Sequence, residues 1–202
     1  MGNRTTANAF VCAIAMLAGV SVRPTAAAPA PVSEPAKPGL TVAVRNPEGL
    51  SMPGLSSALA LATSIYSEAG VAVRWGIEGV PKESPTLTLV IVNSTTAPVG
   101  LSAEAMGVAP SSDRGRRGTI AYVFHDRVTA FAESHHLPLW AVLGCAMAHE
   151  LGHLLLPVSA HAPAGIMRAQ WHPSLFPPTA AGVPGFSPDQ SRLLRARVAS
   201  RE

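Results

Sequence analysis

The chain has 202 residues, of which 48% are hydrophobic, and its formal net charge at neutral pH is +3. This length allows one domain with a substantial core and is too short to expect two. We find no internal repeat. The sequence therefore predicts one globular domain, after an N-terminal stretch of different character.

The first 28 residues have the three parts of a secretory signal peptide. Arg4 supplies the positive charge, residues 9–20 form an apolar segment, and the alanines at 26–28 offer cleavage sites. Because the apolar segment is too short to span a bilayer, we expect export without stable membrane insertion. The predicted location is therefore secreted or periplasmic, and the sequence does not separate the two.

Export would change the balance of charge. Without Arg4 and Arg23, the 15 basic residues become 13 against 12 acidic residues, which is a net charge near +1. The arginines clustered at 114–117 and 192–197 are interpreted as solvated faces, so we expect no nucleic-acid partner. Cys145 becomes the only cysteine, which excludes an intramolecular disulfide, and we interpret it as a small residue of the core.

The spacing of apolar residues predicts the elements of the domain. A Pro/Ala-rich linker over residues 29–39 precedes a single domain over 40–202. The predicted strands cover residues 40–44, 71–75, 86–92, 105–109 and 119–124; the predicted helices cover 55–69, 138–156 and 188–199, and 128–136 is ambiguous. The order strand, helix, strand, strand indicates an α/β or α+β sheet with crossover connections.

The helix over 138–156 carries the clearest chemistry, in the run His149-Glu150-Leu151-Gly152-His153. Residues four apart share a helix face, so His149 and His153 can bind one metal ion. Glu150 lies to one side, where its carboxylate can take a proton from water. The helix is apolar almost all round, which predicts a central buried position where the three polar side chains need a partner.

A catalytic zinc ion needs a third protein ligand and an open position. Downstream of the helix, the chain offers His161, His172 and Asp189, and no glutamate occurs until the C-terminal residue. We predict His161 as the third ligand, because a turn after the helix could return it to the metal. His172 is the alternative.

These residues resemble the metzincin clan of zinc metallopeptidases. The resemblance covers the His-Glu-x-x-His run, a histidine soon after it, and the stretch Ala164-Gly165-Ile166-Met167-Arg168, in which Met167 matches the methionine of the clan's turn. It implies Zn²⁺ bound by His149, His153 and His161. It also implies that Glu150 is the general base and that a peptide or protein is the substrate.

The chain departs from the clan's usual pattern after His153. Leu156 and Ser159 stand where a glycine and the third histidine are usual, so His161 comes two residues late. Some members place a tyrosine two residues after the methionine, where this chain has Ala169, so no tyrosine ligand is expected. These differences concern the third ligand and the turn, and leave the helix-borne residues unaffected.

The resemblance also implies an architecture. We expect an α+β fold with a small twisted mixed sheet, a backing helix, a central active-site helix and a C-terminal helix, and an edge strand that binds extended substrate. A monomer is the default expectation, and Arg74, Arg127 and Arg168 are candidate substrate contacts of which the sequence favours none. Two alternatives stay open: a non-catalytic secreted zincin-fold protein that binds metal or a partner, and a zinc amidase acting on the cell wall.

Overall fold

The computed structural model describes residues 36–77, 87–96, 105–110, 118–157, 160–176, 182 and 184–201. The predicted signal peptide and most of the predicted linker lie outside the described residues. Among the helices of the described part, none is long and apolar enough to cross a membrane.

A five-stranded mixed sheet forms one layer of the domain. Its strands are β1 (Gly39–Arg45), β2 (Ala72–Ile77), β3 (Leu87–Val92), β4 (Gly107–Val108) and β5 (Ile120–Phe124), in the order β2-β1-β3-β5-β4. Strands β2, β1, β3 and β5 are parallel, and β4 pairs antiparallel with β5 at the sheet edge. Parallel neighbours require crossover connections, and α1 supplies the one between β1 and β2.

Four helices accompany the sheet: α1 (Leu55–Glu68), α2 (His125–Ser134), α3 (Leu139–Leu155) and α4 (Pro188–Ala199). Helix α1 ends at the left-handed Gly70, as its sequence predicts, because glycine adopts a positive φ without steric cost. Helix α4 begins at Ser187, whose side chain forms a reciprocal capping box with Gln190. The α+β fold predicted from the sequence, with its mixed sheet and backing, central and C-terminal helices, is confirmed.

Helix α3 is central and buried along almost its whole length, as predicted. Gly144 allows it to approach α1 closely, since a Cβ atom there would lie 2.7 Å from the Ala58 carbonyl oxygen. The buried Tyr66 hydroxyl of α1 donates a hydrogen bond to the Ala148 carbonyl oxygen at 3.0 Å. Cys145 belongs to the same core, and burial raises the pKa of its thiol to about 12. Together these contacts fix the helix that carries the candidate site.

Helix α2 is the element that the sequence left ambiguous. It begins at His125, directly after β5, and no side chain caps its first turn. Instead, the Asp126 carboxylate of that turn accepts hydrogen bonds from the Ser94 backbone nitrogen at 2.8 Å and from the Ser94 hydroxyl. Burial alone would raise the pKa of Asp126, but these bonds, together with those from the Arg127 and Asp126 backbone, hold it below its ordinary value. The start of α2 is therefore stabilised by a long-range contact, which local sequence does not signal.

Candidate metal centre

Three histidines converge at one end of α3. One ring nitrogen from each of His149, His153 and His161 lies within 4.8 Å of the other two, and the Nε2 atoms of His149 and His153 are 3.0 Å apart. A tetrahedral zinc ion with Zn–N bonds of about 2.0–2.1 Å holds its ligand nitrogens about 3.3 Å apart. The distance between His149 and His153 is close to this value, and the three nitrogens lie near enough together that the cluster could hold one metal ion.

The imidazole of His149 is oriented by the backbone. Its Nδ1 donates a hydrogen bond to the Ile166 carbonyl oxygen at 2.8 Å, which leaves the lone pair on Nε2. The Trp171 ring packs edge-on against it, with 5.5 Å between ring centroids. Burial lowers the pKa of His149 to about 4 and that of His153 to about 3. Both rings are therefore neutral at physiological pH, as metal ligands must be.

The predicted methionine turn lies against the motif helix. Met167 is fully buried, and a Cβ atom on Gly152 would lie 2.7 Å from its sulfur and 3.1 Å from the Phe186 ring. The turn is held by backbone hydrogen bonds from Ala162 to Met167 at 2.9 Å and from Ile166 to Gly185 at 3.0 Å. Gly152, between the two histidines, thus makes room for Met167, so the turn that contains Met167 packs against the helix beside the cluster.

The other predicted ligand candidates lie elsewhere. Exposed His172 precedes a short 3₁₀ helix (Pro173–Leu175), and its Nδ1 accepts a hydrogen bond from the Ser174 backbone nitrogen at 3.3 Å. Asp189 forms an exposed ion pair with Arg192 at 3.0 Å. Within the part of the chain that the structure describes, the cluster consists of the two helix-borne histidines and His161.

Glu150 is buried beside the histidines and directly under the sheet edge. A Cβ atom added to Gly107 of β4 would lie 2.6 Å from the Glu150 Cγ atom and 2.5 Å from the Tyr122 carbonyl oxygen. Desolvation by this burial raises the pKa of the Glu150 carboxyl to about 8. Gly107 was missed by the sequence reasoning, although a glycine inside a strand is a signal of close backbone approach.

Arg127, one of the predicted candidate substrate contacts, supports the chain that leads into β4. Its Nη1 donates a hydrogen bond to the Ala105 carbonyl oxygen at 2.7 Å, and its guanidinium lies 5.1 Å from the centre of the Phe124 ring.

Two further neighbours of the cluster were also missed by the sequence reasoning. They are Trp171, which packs against His149, and Gln190, which binds the residue before His161.

No protein-family model matches the sequence, and no curated protein matches it. Among solved structures, the chain is similar to an archaemetzincin from Methanopyrus kandleri, with 17% sequence identity and a TM-score of 0.47. The alignment covers 83% of this chain and 99% of that one.

Proposed function

We propose that the protein is a zinc-dependent peptidase in which Glu150 is the general base. The observation that carries this proposal is a cluster of three histidine nitrogens within 4.8 Å, with Glu150 next to His149 in sequence and buried directly under an edge strand. Imidazole nitrogen suits zinc, and three protein ligands are the number that catalytic zinc sites use. The exposed side of the cluster, at His161, leaves room for a reacting group.

His149, His153 and His161 would hold the ion. When bound, zinc supplies a Lewis acid for a peptide carbonyl and makes water acidic enough to attack near neutral pH. Glu150 takes the proton from the attacking water and delivers it to the leaving nitrogen. Because burial raises its pKa to about 8, the metal-free carboxyl holds a proton at neutral pH. The positive charge of an ion held by the neighbouring histidine cluster would favour the ionised base.

An extended peptide is the substrate that the sheet edge supports. Strand β4 is an edge strand of the sheet. In the described part of the chain, its outer side has no neighbouring strand. An extended chain can add to such an edge through backbone hydrogen bonds. Since Gly107 touches Glu150, a peptide paired beside Gly107 would pass close to the base. This contact supports a peptide substrate over an amide without an extended backbone.

The proposals for other partners and for location have simpler support. On α4, Arg192 pairs with Asp189 and Arg195 donates a hydrogen bond to the Ala69 carbonyl oxygen at 2.9 Å, so both guanidiniums have partners within the domain. These local roles support the interpretation of the arginines at 192–197 as part of the domain surface, whereas the cluster at 114–117 lies outside the described residues. The signal-like first 28 residues support action outside the cytoplasm, which N-terminal sequencing of the exported protein would test.

The decisive experiment compares Glu150→Gln with Glu133→Gln, a matched substitution at an exposed position of α2. Zinc content is measured by mass spectrometry, and cleavage on an unbiased peptide library. We expect wild type and both variants to bind zinc, and Glu150→Gln alone to lose about 10²–10⁴-fold in cleavage rate, the usual contribution of a general base.

The other possible results of this experiment distinguish the proposed function from its alternatives. Cleavage by Glu150→Gln at the wild-type rate contradicts the proposed role of Glu150. Bound zinc without cleavage by the wild type favours the non-catalytic zincin-fold protein. Hydrolysis of cell-wall amides without cleavage of the peptide library favours the amidase. A wild-type chain that binds no zinc after reconstitution contradicts the metal site itself.

A further inference from the structure

The loop that carries His161 has little support from packing on its α4 side. A cavity of about 210 Å³ separates the loop from α4, lined by Leu156, Pro157, Ala160, His161, Gln190 and Leu193. His161 is exposed, whereas Ala160 just before it is buried. Among the described residues, no side chain fills this space, so hydrogen bonds made by Ala160 and Ala162 add to the core packing of these two alanines in holding His161.

One of those hydrogen bonds comes from the first turn of α4. The Gln190 side-chain nitrogen Nε2 donates to the Ala160 carbonyl oxygen at 3.2 Å. On the other side of His161, the Ala162 backbone nitrogen donates to the Met167 carbonyl oxygen at 2.9 Å. The two residues that flank His161 are thus each bound to a different part of the domain.

The capping box fixes which way the Gln190 amide points. Its Oε1 accepts a hydrogen bond from the Ser187 backbone nitrogen at 3.0 Å, and its own backbone nitrogen donates to the Ser187 hydroxyl at 3.2 Å. Reversing the amide would place an N–H against the Ser187 N–H and an oxygen against the Ala160 carbonyl. The half-buried side chain therefore has one satisfactory orientation, in which Nε2 is committed to Ala160.

We propose that Gln190 is a positioning residue for His161. It ties the third candidate ligand to a capped helix and compensates for the two extra residues between His153 and His161. The role rests on the proposed function, since it is defined by zinc binding. Changes to residues that orient metal ligands typically cost about 10–100-fold in affinity. We expect loss of the Gln190 amide donor to weaken zinc binding by a factor in this range.

Gln190→Glu is the sharpest variant. Glutamate keeps the acceptor that the Ser187 backbone nitrogen needs, so the capping box survives, but an ionised carboxylate has no hydrogen to donate to the Ala160 carbonyl. We expect the zinc Kd of this variant, measured by competition with a chelator, to rise at least about 10-fold. A second variant, Gln190→Met, removes both contacts at similar length and should weaken zinc binding at least as much.

Ser187→Ala is the matched control. It removes the hydroxyl that caps α4, at a cost of about 1 kcal/mol, but leaves the Gln190 amide donor and the Ser187 backbone nitrogen in place. Its zinc Kd should stay close to that of the wild type. The visible spectrum of the Co²⁺-substituted proteins reports ligand geometry directly. It should change in Gln190→Glu and not in Ser187→Ala.

Three results would overturn the proposal. They are a wild-type zinc Kd in both Gln190 variants, an equal loss of affinity in Ser187→Ala, or a further loss when Gln190→Glu is combined with His161→Ala. A further loss in the double variant would count against the proposal, because a residue that acts only through His161 has no effect once His161 is gone. A wild-type chain that binds no zinc overturns the proposed function and this role together, whereas the three results above leave the proposed function standing.

Discussion

His149 and His161 belong to the same cluster and are held in it by different means. His149 is 8% exposed, is carried by a central helix, and has its ring fixed by the Ile166 carbonyl. His161 is exposed, is carried by a loop, and relies on hydrogen bonds made by the residues on either side of it. The core holds the first ligand in place directly. The second is held through its neighbours, by two hydrogen bonds and by the packing of Ala160 and Ala162 against the core.

This difference separates two properties of the site. The helix-borne residues are part of what makes the domain stable, so changes to them affect folding and metal binding together. For the loop-borne His161, the proposed function predicts a contribution to metal binding with little effect on the metal-free fold. The predictions below test this separation, beginning with the largest expected effect.

The first prediction compares His149→Ala with His161→Ala. Both should weaken zinc binding, by more than about 100-fold for His149→Ala. Only His149→Ala should destabilise the metal-free protein, by about 1–3 kcal/mol, because it leaves the buried Ile166 carbonyl without its donor. Urea unfolding with chelator present measures the stability, and competition titration measures the affinity.

His172→Ala is the control for this comparison, since that exposed ring lies outside the cluster. It should change neither property. Equal destabilisation of the metal-free protein by His149→Ala and His161→Ala would show that the two ligands are not held differently. Unchanged zinc affinity in His161→Ala would show that His161 is not a ligand.

The second prediction concerns the sheet edge above the helix. In Gly107→Ala, the new methyl group would lie 2.6 Å from Glu150 and 2.5 Å from the Tyr122 carbonyl oxygen, so strand or carboxylate must move. We expect kcat/KM for peptide cleavage to fall at least about 10-fold, which is about 1.4 kcal/mol, with zinc affinity unchanged. Val108→Ala in the same strand should have a much smaller effect. Wild-type kcat/KM in Gly107→Ala would show that the edge does not position the base.

The third prediction is a pH dependence of the metal-free protein. The pKa values of His149 and His153 are lowered from 6.5 to about 4 and about 3, so the stability they contribute is complete above pH 6.5 and is lost on acidification. The pKa of Glu150 is raised from 4.5 to about 8, so its contribution is present at low pH and is lost as pH rises through 8.

Between pH 4.5 and 6.5 the two histidines outweigh the single carboxyl, and above pH 6.5 only the carboxyl titrates. The contribution of these helix-borne groups to the free energy of unfolding should therefore be greatest near pH 6.5. Urea titrations across this range measure it. Glu150→Gln should lose the decline on the alkaline side and keep the acid side, and a wild-type slope above pH 6.5 in that variant would contradict the assignment.

Local sequence patterns predicted the positions of helices well, because each helix depends mainly on its own residues. The apolar periodicity located α1 and α3, and the helix predicted over residues 188–199 coincides with α4. The sequence also identified the helix-borne part of the site, because spacing along one helix determines which side chains share a face. In each case the signal and the structure it specifies lie within a few residues of each other.

Contacts between distant parts of the chain were beyond sequence reasoning. The bond from Gln190 to Ala160, the close approach of Gly107 to Glu150, and the antiparallel direction of β4 all join segments far apart in sequence. The start of α2 depends in the same way on Ser94. The preference for His161 over His172 was made from the sequence, and in the folded chain His161 lies in the histidine cluster whereas His172 lies outside it.

The shortness of the segment from His149 to His161 has a consequence for folding. Closing a short loop costs little chain entropy, so an unfolded chain can bring these histidines to one zinc ion before the parallel strands pair. A ligand that also binds the unfolded state stabilises the native state by less than its affinity for the folded chain implies. Zinc would therefore accompany this protein from early in folding, and its effect on the melting temperature would understate how tightly the finished site holds it.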